Sequence, residues 1–168
     1  MESLKRSFPP VVDAGTRVLV LGSLPGEQSL ARRQYYGNPR NQFWRLIGAV
    51  TGRDLVPLPY EARLAALLEA GVGLWDTVAS ATRRGSLDSA IRDREDNDLV
   101  RLADGLPELR AVGFNGGTSA AVGMPLLAGM PALALVALPS SSPAYTLGFE
   151  AKVERWMALR RFLSECSA

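Results

Sequence analysis

The chain has 168 residues, 47% of them hydrophobic, and a formal charge of only +2, so it fits one globular domain with a sizeable core and its charge alone does not indicate a nucleic-acid partner. It has no histidine and a single cysteine, Cys166, which excludes Ser-His-Asp triads, Cys-His pairs, His-ligated zinc, disulfide frameworks and thiolate metal clusters. Acid–base chemistry must therefore come from carboxylates, amides acting on water, lysine, tyrosine or the substrate itself.

No apolar run approaches the length of a membrane span, and the opening MESLKRSFPP lacks a signal-peptide core, so a cytoplasmic protein with no membrane partner is expected. Cys166 sits at a chain end, where order is usually low, and is a poor candidate nucleophile. Residues 1–14 read as an extended arm. Residues 17–21, Arg-Val-Leu-Val-Leu, read as a buried strand. Gly22-Ser23-Leu24-Pro25-Gly26 breaks it, because neither glycine nor proline suits a strand interior. A connection of roughly 20 residues follows, far longer than the usual 2–6 between a strand and a helix. It is dense in aromatic, amide and cationic groups: Tyr35, Tyr36, Asn38, Arg40, Asn41, Gln42, Phe43 and Trp44.

Asn41 can cap a helix built on Phe43, Trp44, Ile47 and Val50 and ended by Gly52. Residues 60–70 read as an amphipathic helix with Gly71 as its stop. A second strand is expected over 72–78, then a long polar connection over 80–98. A short helix around 97–103 has Asp96 as its cap. A third strand over 109–114 ends in Asn115-Gly116-Gly117, a small-residue helix covers 118–128, a fourth strand covers 131–138, and a last helix runs from about 149 to 164. The alternation implies an α/β fold, a three-layer α/β/α sandwich around a central four-stranded, mostly parallel sheet. In such a sheet ligands bind at the carboxyl ends of the strands. The turns at Gly22–Gly26, Asp76-Thr77, Asn115–Gly117 and Ser140–Ser142 would then line one crevice. Ser140, Ser141 and Ser142 are either helix-capping loop residues or an anion cradle. No dinucleotide or Walker A motif is present.

These residues, in this order, resemble the uracil-DNA glycosylase superfamily, close to its DNA-deoxyinosine (hypoxanthine-DNA) glycosylase branch, which is related to mismatch-specific uracil/thymine glycosylases. The resemblance is carried by Gly22-Ser23-Leu24-Pro25-Gly26, by Tyr35-Tyr36-Gly37-Asn38-Pro39-Arg40-Asn41-Gln42-Phe43-Trp44, by Asp76, by Gly85-Ser86-Leu87-Asp88-Ser89-Ala90-Ile91, by Phe114-Asn115-Gly116 and by Leu138-Pro139-Ser140-Ser141-Ser142-Pro143. It implies one glycosylase domain over residues 1–168. The enzyme would be monofunctional and without metal or cofactor, a monomer that flips a deaminated base out of double-stranded DNA and hydrolyses its N-glycosidic bond. The transition state carries oxocarbenium character on the sugar and negative charge on the departing base, so donors near the base and a positioned water are needed.

By the same resemblance, Phe43 stacks on the flipped base, and main-chain groups of Ser23 and Leu24 wall the pocket. Mismatch-specific relatives place a water-positioning asparagine where this chain has Leu24, uracil-specific branches use an aspartate nearby, and other branches add a histidine to the second motif. Their absence argues against broad uracil excision. Asn41 then becomes the candidate for positioning water, against the alternative that its oxygen is spent on the helix cap. Asn115 would read the base edge, or simply serve a turn. Gly22, Arg40, Ser140, Ser141 and Ser142 would contact DNA. Tyr145 would act as a wedge in the vacated stack or pack on the last helix. Asp76 and Asp88 are read as structural partners of Arg83, Arg84 or Arg92, with Asp88 in reserve for water activation. The rival expectations are a mismatch-specific uracil/thymine-DNA glycosylase and a non-catalytic DNA-binding relative.

Overall fold

The structure, a computed structural model, describes residues 3–164; Cys166 lies outside them. Four strands form an all-parallel sheet: β2 (Val18–Gly22), β3 (Val72–Asp76), β6 (Ala111–Asn115) and β7 (Ala134–Leu138), in the order β3-β2-β6-β7. Side chains alternate across it, as the pleat requires. Val18, Val20 and Leu74 enter one core with Phe43, Leu46, Ile47, Leu67 and Trp156. Leu19, Leu21, Val112 and Phe114 enter another with Leu99, Ala103 and Leu127. The first core is covered by α2 (Phe43–Thr51), α3 (Tyr60–Ala70) and α6 (Phe149–Trp156), and the second by α4 (Leu99–Asp104) and α5 (Gly117–Leu127). The expected sandwich is therefore present, and both of its interfaces are apolar. Packing between the sheet and α5 depends on a missing side chain. A Cβ on Gly123 would lie 2.4 Å from a ring carbon of Phe114 and 3.0 Å from the Thr77 methyl, which lets helix and strand approach closely.

The connection after β2 is shorter in loop than its sequence suggests, because α1 (Glu27–Arg32) interrupts it. Six residues are too few to display helical periodicity. The chain over 78–96 is not a loop either. It forms β4 (Val78–Arg83) and β5 (Arg92–Asp96), which join β1 (Ser3–Arg6) in a second, antiparallel sheet of order β1-β4-β5. The N-terminal arm is thus extended but built into a sheet, and Val11 makes a further bridge to Leu74. Asp98, not Asp96, caps α4, accepting from the Arg101 N–H at 3.1 Å. The last helix loosens after Trp156 into a 3-10 segment, Met157–Phe162.

β2 leads to β3 through helices on one face, and β3 leads to β6 through α4 on the other. The two connections diverge beside β2, so the crevice of the parallel sheet opens at its carboxyl end between β2 and β6. In register there stand Gly22 opposite Asp76, and Asn115 opposite Leu138.

Candidate active site

At that end of the sheet lies a cleft of about 430 Å³, lined by residues 22–29, 86–88 and 140–145 together with Tyr35, Tyr36, Asn38, Asn41, Asp76 and Asn115. The expected meeting of four distant turns in one crevice is observed. Gly22 leaves room for two polar side-chain ends: a Cβ there would lie 2.6 Å from Asp76 Oδ1 and 3.0 Å from the Tyr36 hydroxyl. The carbonyls of Gly22 and Ser23 accept from the N–H groups of Thr77 (2.8 Å) and Val78 (3.0 Å). The N–H groups of Ser23 and Leu24 have no acceptor among the described residues, so this main-chain wall offers donors. The Leu24 side chain packs in a small apolar cluster with Val78, Ala81 and Ile91.

The aromatic wall is not the one expected. Phe43 has no exposed surface and sits under Tyr36, whose ring stacks on it at 3.9 Å between centroids and 14° between planes. Tyr36 borders the cleft and Phe43 does not. The residue offering a ring face here is therefore Tyr36, and Phe43 is its support. Tyr36 also holds a left-handed backbone with φ of 54°, a conformation that costs a bulky residue energy and collects at functional sites. The one sequence signal was the tandem Tyr35-Tyr36, of which Tyr35 turns inward: its hydroxyl donates to the Pro9 carbonyl at 2.8 Å.

Asn41 borders the cleft and stands one residue before the N-cap of α2, Gln42; its Oδ1 nevertheless accepts from the first helical N–H, that of Phe43, at 2.9 Å, and so does a cap's work. An amide oxygen has two lone pairs, so the cap and a bound water are compatible, contrary to the either–or expectation. Asn115 is committed elsewhere. Its Oδ1 accepts from the Ser141 N–H (2.9 Å), and its Nδ2 donates to Ser141 Oγ (2.8 Å) and to the Tyr36 hydroxyl (3.3 Å). Both amide hydrogens are used, so Asn115 anchors the serine turn and the tyrosine and has no donor left for a base edge. Ser141 is withdrawn by burial, at 1% exposed: its N–H donates to Asn115, its Oγ accepts from Asn115, and its carbonyl accepts from the Gln42 N–H at 3.0 Å. Ser140 and Ser142 accept from the Ser142 and Ala144 N–H groups and keep their hydroxyl protons free to donate. The buried Lys152 ammonium props this turn, donating to Gln42 Oε1 at 2.9 Å and to the Ser142 carbonyl at 3.4 Å. Tyr145 is 47% exposed on the rim, with its ring 5.4 Å from that ammonium of α6. Arg40 is exposed beside the Asn38 turn.

The arginine partner expected for Asp88 is present and, among the described residues, the one expected for Asp76 is not. Arg83 reaches Asp88 at 3.8 Å; no ion pair joins it to Asp76. Asp88 also accepts from Ser23 Oγ at 2.6 Å. Asp76 is 4% exposed and its Oδ2 has no hydrogen-bond partner among the described residues. Burial, and then the negative charge of Asp88, raise its pKa from 3.8 to about 7, against a smaller downward pull from Arg83. The folded protein thus binds this proton more tightly than the unfolded chain. Asp76 stabilises the fold fully at low pH, and the contribution is lost as pH rises from 3.8 to about 7. Asp76→Asn removes that loss. In urea unfolding at pH 8 the variant is expected to exceed the parent by roughly 1–3 kcal/mol, with the advantage fading by pH 4.5. An advantage equal at both pH values would contradict the raised pKa.

The model of the Uracil DNA glycosylase superfamily matches residues 9–160. The chain is 44% identical over 158 residues to a Methanosarcina acetivorans protein named Hypoxanthine DNA glycosylase, covering 94% of this chain and 99% of that one. A Methanosarcina barkeri protein of the same name is 47% identical over 112 residues, covering 67% and 71%. The solution NMR structure of a Methanosarcina acetivorans protein described as a uracil DNA glycosylase superposes with a TM-score of 0.87 at 42% identity, over 97% of this chain and 100% of that one.

Proposed function

Because the chain belongs to the uracil DNA glycosylase superfamily, we propose that it is a monofunctional DNA glycosylase of base-excision repair that hydrolyses the N-glycosidic bond of a flipped deaminated base, with hypoxanthine as its principal substrate. The observation that carries this reading is near-full-length similarity to proteins named Hypoxanthine DNA glycosylase. The burial of an apolar Leu24 where related enzymes position water supports it further.

In this mechanism the nucleotide leaves the stack, at a cost of a few kcal/mol that is smallest for a mispaired base such as deoxyinosine. The base lies on the Tyr36 face, with the free N–H groups of Ser23 and Leu24 directed to its exocyclic oxygen. Asn41 holds the attacking water through the second lone pair of its amide oxygen, and the cap to Phe43 fixes that oxygen's position. Ser140 and Ser142 donate to phosphates flanking the site, Arg40 adds charge on the same strand, and Tyr145 fills the vacated stack. The enzyme acts as a monomer in the cytoplasm, nucleoid-associated if its source is bacterial.

A substrate panel tests the reading. Duplexes carrying one deoxyinosine, xanthosine, uracil or mismatched thymine, treated with protein and then alkali, are expected to break fastest at deoxyinosine. Fastest breakage at uracil or mismatched thymine would assign the chain to a uracil/thymine enzyme, the reading favoured by the description of the NMR structure. Binding without breakage of any duplex would mark a non-catalytic relative.

A further inference from the structure

The walls of the cleft include three carboxylates, Glu27, Asp76 and Asp88, and neither a lysine nor an arginine. A base that departs with the electron pair of its glycosidic bond carries negative charge into that enclosure. Glu27 and Asp88 are paired with Lys5 (3.3 Å) and Arg83 (3.8 Å), and neither cation lines the cleft to neutralise the departing base. The Ser23 and Leu24 N–H groups offset part of that charge; a proton delivered as the bond breaks removes it.

One group is placed to supply it. Asp76 ends β3 in register with Gly22 of β2, and the absent Gly22 side chain leaves room for its carboxyl group. Its Oδ2 is buried and unpartnered among the described residues, Asp88 is held by Ser23 and Arg83, and the Tyr36 hydroxyl accepts from Asn115 while burial pushes its pKa up, which makes it the poorer acid. The titratable and charged groups that face it are Asp88 from the 3-10 turn Asp88–Ala90, Arg83 from β4, and Tyr35 and Tyr36 from the segment after α1. Of these only Arg83 is cationic, and it is engaged with Asp88.

We propose that Asp76 is the general acid of the reaction, donating its carboxyl proton to a ring nitrogen of the purine as the bond between C1′ and N9 breaks. This rests on the reading above that the cleft receives a flipped purine. The electron pair of the glycosidic bond passes to the base, which takes the Asp76 proton at N3 or N7 and leaves neutral. Water adds to C1′ and releases one proton to solvent, and Asp76 regains one from solvent before the next turnover. The substrate class follows. Purines have a basic ring nitrogen that is free while the glycosidic bond is intact; uracil has none, so it gains nothing from this acid. A buried acid with its pKa near neutrality suits such a step, and burial with an anionic neighbour gives Asp76 that property.

The test is single-turnover excision from deoxyinosine duplexes between pH 5.5 and 8.5, with enzyme in excess. The parent rate is expected to fall about tenfold per pH unit above its midpoint. Asp76→Asn is expected to be about 100-fold slower at pH 6 and nearly flat with pH, while holding a non-cleavable 2′-fluoro-deoxyinosine duplex within threefold of the parent. Of the 3-deaza and 7-deaza analogues of deoxyinosine, one should resist the parent and the variant alike, and this arm and the parent's pH profile need no variant to fold. A flat parent profile, a variant within threefold of the parent rate, or a loss confined to duplex affinity would overturn the proposal. A parent active on deoxyinosine but indifferent to Asp76 leaves the glycosylase reading intact, whereas a parent inert on every duplex removes both.

Discussion

Replacing Asn41 by alanine is expected to lower the single-turnover rate of deoxyinosine excision by about 100- to 1000-fold, the range seen when one preorganised polar group is withdrawn from a transition state. The amide oxygen is held by the Phe43 N–H, so a water accepted into its second lone-pair direction is oriented before the base departs. That orientation is what an exposed cleft cannot provide by diffusion. The same variant removes a helix cap, which costs about 1 kcal/mol of stability. Two further variants separate these effects. Asn41→Ser restores a capping oxygen on a shorter arm and should recover the stability without the rate. Asn41→Asp keeps both the cap and the acceptor and should retain most of the activity. If Asn41→Ser matches the parent rate, Asn41 is a cap and nothing more, and the water is held by another group.

How much of this was legible beforehand depends on what holds each element together. The parallel strands declare themselves as near-continuous apolar runs because both their faces are buried, and their turns meet in one cleft because strand direction leaves no other place. The second sheet does not declare itself. β5 is Arg92-Asp93-Arg94-Glu95-Asp96, exposed at every position; only its backbone ladder to β4 makes it a strand, and no side-chain pattern records a ladder. The exchange of Phe43 for Tyr36 has a different cause. Both are aromatic, they stack on one another, and spacing cannot tell which ring of a stacked pair faces outward. Asn115 and Asp76 differ from expectation for a third reason. A polar side chain's role depends on which partners are already taken, and those partners come from residues as distant as Ser141 and Asp88.

The allocation of Arg83 leads to the second large effect. Arg83 is 1% exposed at the end of β4; its Nε donates to the Gly85 carbonyl at 3.1 Å, another guanidinium nitrogen donates to the Pro25 carbonyl, and a third stands 3.8 Å from Asp88. One side chain thereby ties the turn after β2 to the loop that carries Ser86–Asp88, two walls of the cleft. Arg83→Met conserves most of the volume and removes every one of these contacts. The Pro25 carbonyl loses its donor at roughly 1–3 kcal/mol, and Asp88 loses its counter-ion, an effect softened because Asp88 is 37% exposed. A net loss of about 2–4 kcal/mol in urea unfolding at pH 7 is therefore expected. Asp76 responds as well. With Arg83 gone, no other cation among the described residues offsets burial and the charge of Asp88, so its proton is held more tightly. The midpoint of the pH–rate profile should then move upward in Arg83→Met, while the rate at low pH falls as the cleft walls loosen. A midpoint that moves down, or a variant as stable as the parent, would show that Arg83 neither joins the two walls nor shares its charge with Asp76.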